Sequence, residues 1–268
     1  MPPGHVRCPA VLIDLHAHVL PGIDDGPPTM ADAVRVATTA AEEGVAILAA
    51  TPHVRPDHPA VRPAELASRT TELAAECAAA GVDLELVPAG EVDLVWAQTA
   101  GDEDLAATSY GGRGRDVLIE TPYGELPAGF EELLFRVSAR GFRLLLAHPE
   151  RSPTLQRDPG RARALVDRGV LLQVTAGALT SRNRRSRSRR LAHALVQEGA
   201  AHVIASDRHG PVHDRTGLQP GVEAAARIAG ARALWMATDA PAAILTGEPL
   251  PTPPRTARSR WPRLTRRG

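Results

Sequence analysis

Residues 10–18 read AVLIDLHAH, an apolar run that ends in a His-x-His pair. The run is short, so we predict a strand at Ala10–Leu15 with His16 and His18 at its carboxyl end. Side chains two residues apart on an extended chain lie on the same face, and both imidazoles therefore point the same way. Two imidazoles on one face provide half of a metal site.

Beyond this strand, short apolar runs alternate with alanine-rich stretches of helical period as far as residue 248. This alternation is typical of β-α units repeated around a parallel sheet or barrel, and about seven units fit in one domain. We predict six more strands, at Ala46–Thr51, Leu84–Ala89, Asp116–Thr121, Phe142–Ala147, Val170–Val174 and His202–Ser206. We predict helices at Met30–Glu43, Pro63–Ala80, Gly129–Arg140, Gly160–Arg168, Arg187–Glu198 and Val222–Ala229, five of them followed by glycines suited to a left-handed C-cap: Gly44, Gly81, Gly141, Gly169 and Gly199.

The composition excludes several classes of protein. The 268 residues contain no lysine, which removes Schiff-base catalysis, a P-loop lysine and a carbamylated-lysine metal bridge. Aromatic residues make up 3%, which argues against a stacking platform for nucleic acid. The chain lacks an apolar run of membrane-spanning length and a signal-peptide pattern, so we predict a cytoplasmic protein without a transmembrane segment.

Two arginine-rich segments stand out from the balanced charge of the chain. Residues 249–268 contain six arginines, many prolines and no acid, and we predict a disordered tail there after a domain at residues 1–248. A second cluster lies at the start of a predicted helix, where positive charge opposes the helix dipole and indicates a nearby anion or a solvated loop. It consists of Arg182, Arg184, Arg185, Arg187, Arg189 and Arg190.

Histidines and carboxylates follow the carboxyl ends of most of the predicted strands. Active sites of α/β barrels and open sheets lie at that end, so these side chains converge on one mouth. Mixed imidazoles and carboxylates without thiolates suit zinc, manganese or iron, and carboxylates can bridge neighbouring ions. The sequence therefore predicts a multinuclear metal site. Its residues come from DLHAH (14–18), GIDDGP (22–27), TPH (51–53), AGE (89–91), LIE (118–120), AHPER (147–151) and ASDRH (205–209).

These motifs together resemble the polymerase and histidinol phosphatase (PHP) superfamily. More closely, they are similar to the manganese-dependent bacterial tyrosine phosphatases of capsule and exopolysaccharide loci. The resemblance spans about residues 11–247, with the Asp-Asp-Gly-Pro segment (24–27) as its most specific part. Two stretches, residues 173–178 and 210–220, differ from the family pattern.

The resemblance implies a fold, a ligand set and a substrate. The fold is a distorted seven-stranded TIM-like (β/α)7 barrel of the PHP type. The cofactor is a trinuclear centre of divalent ions, most naturally Mn²⁺ with Fe or Zn as alternatives. The substrate is a phosphotyrosine protein, in particular a bacterial tyrosine autokinase that controls capsule or exopolysaccharide synthesis. The implied ligands are His16, His18, Asp25, His53, Glu91, Glu120, His148, Asp207 and His209.

We expect metal-assisted hydrolysis, in which a metal-bridged hydroxide attacks the phosphate. A cysteine mechanism is disfavoured because Asp14 and Asp83 stand where a Cys-x5-Arg loop would place arginine after Cys8 and Cys77. Arg151 is the first candidate for bidentate phosphate binding, and an ion pair with a strand-end carboxylate is its structural alternative. Arg208 and Arg215 are further candidates for phosphate binding, and Asp207 and His209 for acid–base roles.

Other functions remain open at this point. Histidinol-phosphate phosphatase and a nucleic-acid phosphoesterase belong to the same superfamily, although the Asp-Asp-Gly-Pro segment favours the tyrosine phosphatases. An amidohydrolase shares the His-x-His pair but needs the missing lysine. A non-catalytic metal-binding module that docks a kinase through its arginines is the alternative from another class of protein.

Overall fold

The computed structural model describes residues 11–210 and 216–254. These residues form nine strands: β1 Leu12–Ala17, β2 Val45–Ala50, β3 His53–Val54, β4 Glu85–Pro88, β5 Glu91–Val92, β6 Asp116–Ile119, β7 Arg143–Ala147, β8 Leu171–Thr175 and β9 Val203–Ala205. They also form twelve α-helices: α1 Met30–Glu42, α2 Leu66–Ala79, α3 Leu94–Thr99, α4 Asp102–Ala107, α5 Phe130–Ala139, α6 Pro153–Arg157, α7 Pro159–Asp167, α8 Ala176–Thr180, α9 Arg187–Glu198, α10 Leu218–Ala229, α11 Arg232–Trp235 and α12 Asp239–Thr246. Short 3-10 helices lie at Pro63–Glu65, Tyr110–Gly112 and Pro149–Arg151.

All strand pairs are parallel, and the strands fall into two sheets that continue one another. One sheet has the order β1-β2-β4, and the other has the order β3-β5-β6-β7-β8-β9. The chain passes from β2 into β3 across Thr51-Pro52 and from β4 into β5 across Ala89-Gly90, so the nine strands correspond to seven barrel positions. A parallel bridge between Ala17 and Arg208 brings the end of β9 back to β1. The result is the distorted seven-unit α/β architecture that the sequence predicts.

The core lies in two layers on either side of the strands. Ile13, Leu118 and Leu145 belong to the cluster that fills the interior between the strands. A larger cluster joins the outer faces of the strands to the helices, with Val36 of α1 and Leu134 of α5 among its members. Strands buried on both faces carry continuous apolar runs, which is why the sequence shows runs rather than alternation. Within the described residues, no helix is long and apolar enough to cross a membrane.

The predicted strands and helices are confirmed with shifts of a few residues. The shift that matters most for the site is at the carboxyl end of β1, which extends to Ala17 and so includes His16. All five predicted C-cap glycines have positive φ angles, between 74° and 99°. The sequence analysis missed the two-residue strands β3 and β5 and six helices of four to eight residues, namely α3, α4, α6, α8, α11 and α12.

The predicted tail begins within the described part of the chain. Leu250 packs against both core clusters, and the described residues end at Pro254. The remainder of the predicted tail lies outside the described residues, as does Cys8, whereas Cys77 is a buried free thiol on α2.

Candidate metal centre

The carboxyl ends of the strands meet at one mouth, and all nine proposed ligands lie there. They occur in four overlapping groups whose candidate ligand atoms lie within 4.8 Å of one another. The groups are His18, Asp25, His53 and His209; His16, His18 and Asp207; His16, Glu91 and His148; and His53, Glu91 and Glu120. Because every group shares a residue with another, the arrangement can hold neighbouring ions with bridging ligands.

The His-x-His pair lies at the centre of this arrangement. The Nε2 atoms of His16 and His18 are 3.2 Å apart. Glu91 Oε2 lies 3.3 Å from the first and 3.4 Å from the second, and Asp207 Oδ1 lies at the same two distances. The same-face prediction for the two imidazoles is therefore confirmed.

Partners of the Nδ1 atoms fix the tautomers of three histidines. His16 Nδ1 lies 2.9 Å from Gln173 Oε1, His18 Nδ1 lies 2.8 Å from Asp24 Oδ2, and His209 Nδ1 lies 3.0 Å from the carbonyl oxygen of Asp207. These oxygens only accept hydrogen bonds, so each Nδ1 donates, and in the neutral imidazole each Nε2 carries a lone pair. Such partners orient metal-binding histidines in proteins generally.

The side chains in the mouth fit a bound cation. With the Nδ1 protons placed, the Nε2 lone pairs of His16 and His18 face each other among carboxylate oxygens, an arrangement that is repulsive unless positive charge lies between them. Glu91 Oε2 and His53 Nδ1 are buried and lie 3.0 Å apart, and neither has a hydrogen-bond partner among the described residues. Two unsatisfied polar atoms directed at the same point are what a shared ion would satisfy.

In the centre of the cluster, histidines lower the pKa of a neighbouring carboxylate, and carboxylates raise the pKa of a neighbouring histidine. Burial acts to raise the pKa of Glu91, but His16 and His148 outweigh it and hold that pKa well below the usual range. Burial acts to lower the pKa of His16, but Glu91 and Asp207 raise it overall. Glu120 and His209 are exceptions: burial and the neighbouring Glu91 raise the pKa of Glu120, and burial and the neighbouring His18 lower the pKa of His209. The carboxylates thus favour positive charge on the central imidazoles, whether from protons or from metal ions.

Two of the ligands sit on unusual backbone. His148 has φ 34° and Asp207 has φ 57°, and no other non-glycine residue in the described ranges has a positive φ. A left-handed backbone costs roughly 1–3 kcal/mol at such residues and persists where the surrounding structure requires it. His148 directly follows β7 and Asp207 lies two residues beyond β9, so the strained backbone turns both side chains into the mouth.

The loop at residues 22–27 positions one exposed and one buried carboxylate. Asp25 is a candidate ligand at the edge of the mouth, with Oδ1 3.4 Å from His209 Nε2 and 3.7 Å from His53 Nε2. Asp24 points inward and accepts from His18 Nδ1, from the backbone of Gly26 at 3.0 Å and from that of His53 at 3.1 Å. A Cβ at Gly26 would lie 2.8 Å from the carbonyl oxygen of His18, which explains the glycine.

The three candidate phosphate-binding arginines lie in different environments. Arg151 Nη2 is 2.5 Å from Asp207 Oδ2, and its side chain is one-third exposed. Arg208 is buried in an ion pair with Glu43 at the end of α1. Arg215 lies outside the described residues. The structure thus brings Arg151 to the metal ligands, and phosphate binding by all three stays a prediction.

Several residues of the site were missed by the sequence analysis. The sequence pointed to Asp24 through the adjacent carboxylates of Asp24 and Asp25. It pointed more weakly to Gln173, which is a polar residue inside the apolar strand β8. Arg55, whose Nη1 lies 3.1 and 3.2 Å from the two oxygens of Glu120, had no signal beyond its proximity to His53.

An exposed aromatic ring borders the mouth on the side of β6. Tyr123 is 56% exposed. Its ring centroid lies 6.1 Å from that of His148 with an interplanar angle of 29°, and its hydroxyl lies 3.5 Å from Arg151 Nη1. The mouth therefore offers an apolar face next to the metal ligands.

Comparison with known proteins agrees with this geometry. The family model described as capsular polysaccharide synthesis, CpsB/CapC, matches residues 12–245. The tyrosine-protein phosphatase YwqE of Bacillus subtilis is 28% identical over 213 residues, which cover 74% of this chain and 77% of that protein. The tyrosine-protein phosphatase CpsB of Streptococcus agalactiae is 21% identical over 212 residues, with 74% of this chain and 83% of that protein covered.

Solved structures share the fold. A chain from the crystal structures of YwqE from Bacillus subtilis and CpsB from Streptococcus pneumoniae, described as unique metal-dependent tyrosine phosphatases, superposes with a TM-score of 0.78 at 24% identity. The superposition covers 92% of this chain and 99% of the other. A β-aspartyl dipeptidase from Fervidobacterium islandicum superposes with a TM-score of 0.55 at 15% identity, over 88% of this chain and 75% of the other. The fold thus extends to hydrolases of other substrates.

Proposed function

This chain belongs to the CpsB/CapC family of capsular polysaccharide synthesis, and we propose that it is a metal-dependent protein-tyrosine phosphatase. The observation that carries the proposal is the set of nine imidazole and carboxylate side chains in overlapping groups at one barrel mouth. Relatives in the same family are named tyrosine-protein phosphatases, which gives the proposed substrate class.

Three divalent ions, most naturally Mn²⁺, are the cofactors we propose for the four overlapping groups. Imidazole and carboxylate ligands suit Mn²⁺, Fe and Zn alike, so the manganese assignment follows the family resemblance. When bound, such ions activate water and neutralise phosphate charge. Glu91 contributes to two of the groups and is the natural bridging ligand between neighbouring ions.

The arginine and the acid–base pair act on the phosphate and the leaving group. The guanidinium of Arg151 has a fork that matches two phosphate oxygens, and the neighbouring Asp207 keeps it oriented toward the mouth. As an alternative to a ligand role, the imidazole of His209, which is about one-third exposed, can deliver a proton to the departing phenolate from the solvent side. Asp207 can assist as the base that restores the proton, alongside its role as a metal ligand.

Tyr123 completes the proposed binding of the substrate. Its exposed ring lies against His148 and Arg151, which places an aromatic face beside the position of the phosphate. Offset stacking of aromatic rings favours a phenyl phosphate over an alkyl phosphate by roughly 0.5–1.5 kcal/mol. The protein substrate we propose is a tyrosine autokinase that controls capsule or exopolysaccharide synthesis, and we propose a cytoplasmic location for the reaction.

The test compares initial rates of hydrolysis on a phosphotyrosine peptide and on histidinol phosphate, after chelation and after addition of Mn²⁺. We expect Mn²⁺ to restore phosphate release from the peptide, with little release from histidinol phosphate. The reverse preference would replace the proposed substrate with histidinol phosphate. Metal binding without hydrolysis of either compound would favour the non-catalytic binding module.

A further inference from the structure

An open cavity of about 460 Å³ extends sideways from the metal ligands toward the start of α9. Asp207 and His209 form its inner end. The hydroxyl-bearing residues Ser181, Ser186 and Ser188 line its outer part, in and around the segment that joins α8 to α9. A chain bound with one side chain among the metal ligands can therefore continue into this cavity.

The six arginines of residues 182–190, hereafter the arginine rim, are interspersed along the chain with the serines that line the outer part of the cavity. Five of them are exposed and Arg189 is partly buried. In the described part of the chain, none of the six forms an ion pair with a carboxylate, whereas Arg151 and Arg163 do. The rim therefore carries positive charge that the described residues do not neutralise.

The positive charge of the rim lowers the stability of the fold, because it lies at the start of a helix. Arg187 is the first residue of α9, whose first turn contains no acid, and Arg182 and Arg184 precede it. The helix dipole places positive charge at this end, so each cation there is unfavourable by roughly 0.3–1 kcal/mol. Exposed positions tolerate neutral residues, and binding of an anion explains why this chain has six arginines at a position that is unfavourable for positive charge.

We propose that the arginine rim binds acidic residues that flank the phosphotyrosine of the protein substrate. The inference rests on the proposed phosphatase function, because the cavity connects the rim to the metal ligands. A peptide fits the observations best: one covalent chain can place its phosphate at the metal ligands and its acidic side chains at the rim. The serine hydroxyls can hydrogen-bond its backbone between the two points.

The test measures binding of two peptides of equal length that carry a non-hydrolysable phosphotyrosine analogue. In one peptide aspartates flank the analogue, and in the other asparagines do. The variant is Arg182→Gln/Arg184→Gln/Arg187→Gln in Mn²⁺-loaded full-length protein. Its matched control is Arg113→Gln/Arg115→Gln/Arg168→Gln, which removes three exposed arginines near the amino ends of β6 and β8, at the opposite end of the barrel.

We expect the Kd of the acidic peptide, measured by fluorescence anisotropy, to rise about tenfold in the rim variant. The Kd of the neutral peptide should stay the same. The melting temperature should rise slightly, because the substitutions remove cations from the start of the helix. The control variant should bind both peptides as the parent protein does. Equal affinity of the parent protein for the two peptides, or an unchanged Kd in the rim variant, would overturn the proposal.

Hydrolysis of p-nitrophenyl phosphate separates this inference from the proposed function. The compound is too small to reach the rim, so its kcat and KM should be the same in the parent protein and in the rim variant. Absence of hydrolysis in the Mn²⁺-loaded parent protein would contradict the phosphatase proposal, while the peptide affinities would still decide the role of the rim.

Discussion

The two ends of the barrel differ in whether their buried polar groups find hydrogen-bond partners within the chain. At the carboxyl end, His16, His18 and Glu91 are buried with candidate ligand atoms about 3 Å apart, and four buried atoms of the nine candidate ligands have no hydrogen-bond partner among the described residues. At the amino end, His202 Nδ1 accepts from the backbone of Leu172 at 3.2 Å. The first arrangement needs a cation to be satisfied, whereas the second is satisfied by the chain itself. The comparison indicates that the carboxyl end of the barrel is built for ligand binding and the amino end for stability.

The amino end also contains a buried arginine that contacts carbonyl oxygens and an aromatic ring. Arg232 Nη2 donates to the carbonyl oxygens of Gly199 at 2.8 Å and Ala201 at 3.2 Å. Its guanidinium carbon lies 5.1 Å from the centroid of the Trp235 ring, within the range of a cation–π contact. Changes at this end should therefore affect folding and leave catalysis intact, and changes at the mouth should do the opposite.

The largest effect is expected for His148→Ala at the mouth. Removal of a ligand from the group that contains His16 and Glu91 should lower kcat on a phosphotyrosine peptide by about a thousandfold or more. The fold should persist, because the side chain contributes to the site rather than to the apolar core. The measurement is the steady-state rate together with the circular dichroism spectrum. His58→Ala, beside His53 but outside the four groups, is the matched control, and unchanged activity of His148→Ala would sink the ligand assignment.

A smaller effect is expected for Asp24→Asn, which retains the shape of the side chain and removes its charge. The carboxylate holds the Nδ1 proton of His18, and loss of such a partner typically weakens metal binding by about 10–100-fold. The measurement is the Mn²⁺ concentration that gives half-maximal activity in chelated protein. An unchanged concentration would show that the contact is structural only.

A third change tests Tyr123, the exposed aromatic residue beside the mouth. Tyr123→Ala should raise KM for phosphotyrosine by about three- to tenfold, with less effect on an alkyl phosphate, whereas Tyr123→Phe should keep the parent KM because the ring is retained. Phe135→Ala is the control, since Phe135 is 69% exposed on α5. A parallel loss for aryl and alkyl substrates would rule out ring stacking.

The smallest effect on activity is expected at the amino end, where His202→Asn should alter only the pH dependence of stability. Burial and the nearby Arg232 lower the pKa of His202 from 6.5 to about 4. Between those values the unfolded chain binds more protons than the folded protein, so stability falls as the pH falls through this window. The loss attributable to His202 amounts to at most about 3 kcal/mol.

Urea unfolding of chelated protein at pH 7 and pH 4.5 measures this difference. The parent protein should lose more stability than the variant on acidification, because asparagine can accept the Leu172 hydrogen bond without titrating. Parallel losses in the two proteins would contradict the account of His202, and reduced activity of the variant at pH 7 would contradict the separation of the two ends.

The comparison also shows which features the sequence predicts and which it does not. The seven barrel strands are visible because each is an apolar run that ends in a polar residue, as at Ala147-His148. The continuations β3 and β5 were missed because Pro52 and Gly90 interrupt the pattern. A Cβ at Gly90 would lie 2.6 Å from the side chain of Val54, so the glycine marks close packing.

The candidate site likewise has features that the sequence predicts and features that it does not. Eight of the nine candidate ligands stand at or just beyond strand ends, where the parallel topology makes their convergence predictable, and Asp25 lies in the loop that follows β1. The orienting partners depend on contacts between distant segments, as between His16 and Gln173 or between Arg55 and Glu120. No local pattern indicates such pairs, and they became visible only from the folded structure.

The central claim is that the mouth of the barrel binds divalent ions and that these ions are required to hydrolyse phosphotyrosine. The most direct test is metal content by inductively coupled plasma mass spectrometry, paired with the rate on a phosphotyrosine peptide, for chelated and Mn²⁺-reloaded protein. We predict that reloading restores about three ions per chain and the activity together, and that Glu91→Gln recovers neither fully. Full activity in protein that contains no metal, or reloaded protein with bound ions and no hydrolysis, would contradict the claim.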